Sequence, residues 1–112
     1  MRIGIVGGVD RSAGLLRGLA RAGGHELELH TGVVDSATAS TSLKALVARS
    51  ELVVVVTDIN SHNGVRAARR EARLRRRPLK IMRRMSGSQF AALLQGLERA
   101  LPAAAPARIQ RA

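Results

Sequence analysis

LVVVV, Leu52 to Val56, followed at once by TDINSHN, Thr57 to Asn63, is the stretch on which the fold turns. Five consecutive apolar residues, four of them β-branched, make a strand, and the lack of any polar alternation says that both of its faces are covered. That is the pattern of a central strand in a parallel sheet with helices on either side. The polar run that follows stands where such a strand ends and a helix begins.

Working outward, RIGIVGG (Arg2 to Gly8) carries Ile3, Ile5 and Val6 into a glycine pair, a strand turning sharply into a helix. Ser12 is placed to cap that helix, Leu15, Leu16, Leu19 and Ala20 recur at helical spacing, and Gly23 and Gly24 close it. HELELH (His25 to His30) alternates strictly, the mark of an edge strand with one wet face, so His25 and His30 are expected at the surface. Thr31 to Ser40 reads as a loop, and Thr41 or Ser42 as the start of a helix through Leu43, Leu46 and Val47. A third helix is expected from His62 or Asn63 to Leu74, with Val65, Ala68 and Ala72 inward. LKIM (Leu79 to Met82) alternates like a second edge, and Ser86 or Ser88 can cap a fourth helix with Phe90, Leu93, Leu94, Leu97 and Leu101 as its apolar face.

Four strands alternating with four helices imply a parallel sheet joined by right-handed crossovers. With the first and third strands internal and the other two at the edges, the order is 2-1-3-4, a single small Rossmann or flavodoxin-like α/β domain in three layers. It is expected to occupy 1–101, with the Ala- and Pro-rich 102–112 as a disordered tail. At 112 residues and 46% hydrophobic content the chain suffices for one modest core, built from aliphatic side chains because Phe90 is its one aromatic residue.

The absence of cysteine excludes disulfides and thiolate chemistry. No apolar run approaches the roughly 20 residues of a membrane span, and the glycine-broken N-terminus is not a signal peptide, so the expected location is the cytoplasm. Two exposed sheet edges predict a homodimer.

In open parallel sheets ligands bind beyond the carboxyl ends of the strands, where the strand order reverses. Those ends are GGVDRS and TDINSHN, which nominates Gly7, Gly8, Asp10, Arg11, Thr57, Asp58, Ser61, His62 and Asn63, with Arg83 and Arg84 from the neighbouring edge as further anion contacts. Helix N-termini and Arg11 favour an anion, so the expected partner is a small molecule bearing a phosphate or carboxylate. Each residue also has a structural reading: the glycines as a tight turn, Asn60 and Ser61 as helix caps, Asp10 and Asp58 as partners of arginine. His62, near a helix N-terminus, would be a neutral hydrogen-bonding group.

Several chemistries lack their signatures. Gly-x-Gly-x-x-Gly is absent, as is the Gly-Lys-Ser of a P-loop, so neither nicotinamide binding nor NTP hydrolysis is indicated. The likeness of Asp58 to a phospho-accepting aspartate is topological only. Metal binding or catalysis through Asp58 and His62 is a third option, opposed by the neighbouring arginines; no metal or cofactor is assigned. Of a net charge of +11, most lies between Arg66 and Arg84, where ten Lys and Arg meet one acid, Glu71. The alternative function is therefore nucleic-acid association through Arg66, Arg69, Arg70, Arg73, Arg76 and Arg77, against the simpler reading of a solvated basic face.

With GIVGGVDR and TDINSHN both in view, the chain resembles the bacterial domain-of-unknown-function 2325 family over about Met1 to Arg84. The resemblance implies a small Rossmann-like domain and marks Gly7, Gly8, Asp10, Thr57, Asp58, Ser61, His62 and Asn63 as its motif positions. It implies no activity. The basic third helix and the Ala-Pro tail are this chain's departures from it.

Overall fold

The computed structural model describes residues 1–8, 12–58 and 60–108, with side chains as far as 97. The elements follow in the order β1 (Arg2–Val6), α1 (Ala13–Ala22), β2 (Glu26–His30), α2 (Ala37–Arg49), β3 (Leu52–Val56), α3 (His62–Leu74), β4 (Leu79–Met82) and α4 (Gly87–Arg108). All strand pairings are parallel and the order is β2-β1-β3-β4, as the hydrophobic patterns predict.

The uninterrupted apolar run of β3 is buried at every position. Its alternate side chains feed two cores. Leu52, Val54 and Val56 meet Leu16 and Ala20 of α1 and Phe90 and Leu94 of α4, while Val53 and Val55 meet Leu43, Leu46 and Val47 of α2 and Ala68 and Ala72 of α3. Helices thus cover the sheet in pairs, α1 with α4 and α2 with α3. Phe90, fully buried, is the largest side chain of the first core and carries α4 onto the sheet.

The starts of α2, α3 and α4 follow side-chain caps, whereas Ser12 precedes α1 without a side-chain cap bond among the described residues. Ser61 Oγ accepts from Gly64 N at 2.8 Å to start α3. At α4, Ser86 Oγ accepts from Gln89 N at 3.2 Å and Gln89 Oε1 accepts from Ser86 N at 3.0 Å, a reciprocal capping box. The second helix corrects the sequence reading. It begins at Ala37, with Ser36 as its cap accepting from Ala39 N at 3.1 Å, and not at Thr41 or Ser42. Its first turn, ATAS, is exposed or half-buried and has no apolar periodicity to reveal it. At the other end of the chain, the helical backbone of α4 takes in Pro102 to Arg108, while 109–112 lie outside the described residues.

Neither histidine of HELELH lies free at the surface, contrary to expectation. His25 is buried, 7% exposed, where α1 turns back into the sheet and its amide donates to Ala20 O. His30 is half-buried: its Nδ1 accepts from Gly32 N at 2.9 Å and its Nε2 lies 3.1 Å from Ala39 O. An amide N–H can only donate and a carbonyl can only accept, so the ring is the Nε2–H tautomer, tying β2 to the loop ahead of α2 and to the first turn of α2.

Candidate functional site

The carboxyl ends of β1 and β3 lie side by side, in register from Ile3 with Leu52 to Val6 with Val55. Beyond them the polar run after β3 splits into residues that face the protein and residues that face solvent. Asn60 turns inward. Its Nδ2 donates to Val56 O at 2.7 Å and to Val6 O at 3.2 Å, and its Oδ1 accepts from Ser61 N at 2.7 Å. One side-chain amide therefore bridges the last carbonyls of the two central strands.

Glycines make room for that amide. Gly7 (φ +89) and Gly32 (φ +89) both adopt left-handed backbone, and a Cβ on either would overlap the Asn60 side chain. Ser61 completes the lock, donating from its hydroxyl to Gly32 O at 2.6 Å while capping α3. A Cβ on Gly64 would collide with the same Gly32 carbonyl. The α3 side of the strand-order reversal is closed by the protein's own polar groups.

The opening lies on the other side. A cleft of about 600 Å³ is lined by Gly8, Ser12, Val56, Asp58, Arg84, Met85, Ser86 and Gly87. Val56 and Met85 are its buried apolar wall. Parallel pairing continues past the strands, Thr57 N donating to Met82 O and Asp58 N to Arg83 O, each at 2.9 Å, which sets Asp58 beside the end of β4. There Arg84 Nε donates to Asp58 Oδ2 at 2.8 Å, an ion pair at the rim with side chains 73% and 37% exposed.

Two helix starts reach the cleft. The first intrahelical bonds run from Leu16 N to Ser12 O in α1 and from Phe90 N to Ser86 O in α4. Amides ahead of those bonds, including that of Gly87, carry the partial positive charge of a helix N-terminus. Ser12 and Ser86, both on the cleft wall, add hydroxyls. Apolar wall, oriented amides, one guanidinium and one carboxylate make an arrangement able to hold a small molecule by an anionic group and to accept a hydrogen bond from it.

Of the residues nominated from sequence, Gly8, Asp58 and Arg84 line this cleft. Gly7 packs against Asn60, and Ser61 holds the Gly32 loop. Thr57 is exposed, and His62 and Asn63 are exposed on the first turn of α3, away from the cleft lining. Arg83 borders a separate depression with Met82, Arg84 and Gln89. Asp10 and Arg11 lie outside the described residues. No group of three or more His, Asp or Glu side chains suited to a metal occurs among the described residues. Of the other lining residues, Ser12 and Ser86 were legible from sequence only as helix caps, and Met85 and Gly87 were not singled out; the hint was that MSGS follows β4 much as GGVDRS follows β1.

On the α3 surface, Arg66, Arg69, Arg70 and Arg73 line one shallow groove. Arg77 stands apart, its Nη2 donating to Ala48 O at 2.8 Å, and Arg76 sits at φ +54 where the chain leaves the helix. Among the described residues no helix is long and apolar enough to cross a membrane.

No curated protein and no solved structure matches the chain. The profile of an uncharacterized protein family conserved in bacteria matches residues 2–97, which takes in every strand and the side chains lining the cleft. The chain belongs to that family, the bacterial domain of unknown function 2325.

Proposed function

We propose that this protein is a small ligand-binding module whose cleft takes a phosphate- or carboxylate-bearing small molecule. The observation that carries the reading is the convergence of the first turns of α1 and α4 with Arg84 on one cleft at the strand-order reversal. Helix amides and a guanidinium are complementary to an anion, and a Val56–Met85 wall suits an apolar or planar body attached to it. The anion takes Arg84 from Asp58, and the freed carboxylate then accepts a hydrogen bond from a hydroxyl or amine on the same ligand.

Cleft and exposed end of α3 can be told apart by substitution. Arg84 is a surface side chain, so its replacement leaves the fold intact, and His62 is equally exposed but outside the lining. Mass spectrometry of small molecules released from the natively purified protein is the test. An anionic compound enriched with wild type and with His62→Ala, and lost with Arg84→Glu, is the expected outcome. Enrichment that survives Arg84→Glu but disappears with His62→Ala, or no enriched anion at all, overturns the assignment.

A further inference from the structure

We infer that the outer face of α3 is a docking surface for the phosphate backbone of nucleic acid, engaged without selection of base sequence. The surface is distinct from the cleft. Arg66, Arg69, Arg70 and Arg73 are all exposed and lie along one groove, whereas Gly64, Ala68, Glu71 and Ala72 are buried and fix the opposite side of the helix to the protein. Spacings of three and four residues put the arginines on neighbouring turns of one face.

Among the described residues nothing neutralises them. The ion pairs there are Arg2–Glu26, Arg49–Glu28, Arg75–Glu71 and Arg84–Asp58. Glu71, the one acid between Arg66 and Arg84, turns to the buried side of α3 and is taken by Arg75 at 3.3 Å. Like charges at these spacings repel one another and disfavour the helix, a repulsion that an anionic partner relieves. The residues are uniformly Arg, whose planar fork matches a phosphate through two parallel hydrogen bonds.

The dimensions fit a polymer better than an isolated ion. From Arg66 to Arg73 the helix rises roughly 10 Å, comparable to about three phosphate-to-phosphate steps, and so about four successive phosphates, along one strand of a duplex. The chain holds no Trp or Tyr, and Phe90 is buried in the core, so no large aromatic ring is available to stack on exposed bases, which favours contact with the backbone over readout of sequence.

Fluorescence anisotropy with labelled duplexes of two unrelated sequences, titrated with the full chain, tests the inference. Both duplexes are expected to bind alike, and four phosphate contacts give a loss of about 150-fold between 50 and 200 mM salt. Arg66→Gln with Arg70→Gln should lower the log–log salt slope by about 1.8 and weaken binding at least roughly tenfold at low salt. Arg17→Gln with Arg21→Gln, which removes the same charge from the exposed side of α1, should leave the slope in place. Circular dichroism checks folding, and Arg69→Gln with Arg73→Gln serves as the second variant should the first fail to fold. No binding at low salt, equal losses in the α1 and α3 variants, or tighter binding to phosphatidylserine vesicles than to either duplex overturns it.

Discussion

Asn60 shows how one side chain can settle what a polar loop does. Its amide group satisfies the carbonyls of Val6 and Val56, which end the two central strands. Removing the donors leaves those carbonyls short of a partner in a half-buried place, at about 1–3 kcal/mol. Asn60→Ala is accordingly expected to lower the free energy of unfolding in urea by that much. Asn60→Asp is the sharper probe, because the carboxylate keeps the shape and the acceptor for Ser61 N but sets an oxygen against two carbonyl oxygens. It should destabilise at least as much as Asn60→Ala; if Asn60→Asp proved as stable as wild type, the amide donors would contribute nothing. Arg84 belongs to the same scale. Its pairing with Asp58 is largely exposed and contributes little stability, which leaves it available for exchange with a ligand.

At the scale of elements, α2 is tied to the sheet edge by a pair that the sequence separates widely. Arg49, in the last turn of α2, donates from Nε and Nη2 to the two carboxylate oxygens of Glu28 on β2, at 2.8 and 2.7 Å. The hydrogen bond from Arg49 holds the Glu28 carboxyl below its ordinary value of 4.5, with the Arg49 and Arg2 charges adding to the effect and partial burial opposing it. A carboxyl whose folded value is depressed adds stability above its unfolded value and loses it as pH falls through the folded one. Wild type should therefore exceed Glu28→Gln by a small margin near neutrality, with the margin closing as pH drops below 4.5, measured by thermal unfolding at matched ionic strength. A margin unchanged into strong acid would exclude the ion pair as its source. The same helix shows why sequence reading missed a boundary: Ala37 to Ser40 fold as helix because Ser36 caps them, and small polar residues carry no periodic signal.

For the whole molecule, β4 presents an open edge with Leu79 37% and Ile81 47% exposed. The homodimer expected from the sequence would pair two copies along this edge, extending the sheet. Lys80 and Arg83 are exposed on the same edge and oppose that association, so it should tighten as salt screens them. Sedimentation equilibrium is expected to read a dimer that strengthens with ionic strength and reverts to a monomer with Ile81→Lys; a wild-type monomer at high concentration and high salt removes the expectation. The sequence by itself determined the strand order, since full burial, one-sided burial and helical spacing leave separate marks on LVVVV, HELELH and the leucines of α4. It also determined which strand ends meet, and narrowed two helix starts to Asn60 or Ser61 and to Ser86 or Ser88, between which the structure selects Ser61 and Ser86. Tertiary structure alone decided which side of the strand-order reversal stays open. The partners of Asn60 and Ser61 are backbone carbonyls at Val6 and Gly32, far away in the chain, and a polar side chain offers the same donors to a distant carbonyl as to a ligand. Only packing of the Gly32 loop against α3 directs those donors inward, leaving Gly8, Asp58 and Arg84 to face the cleft.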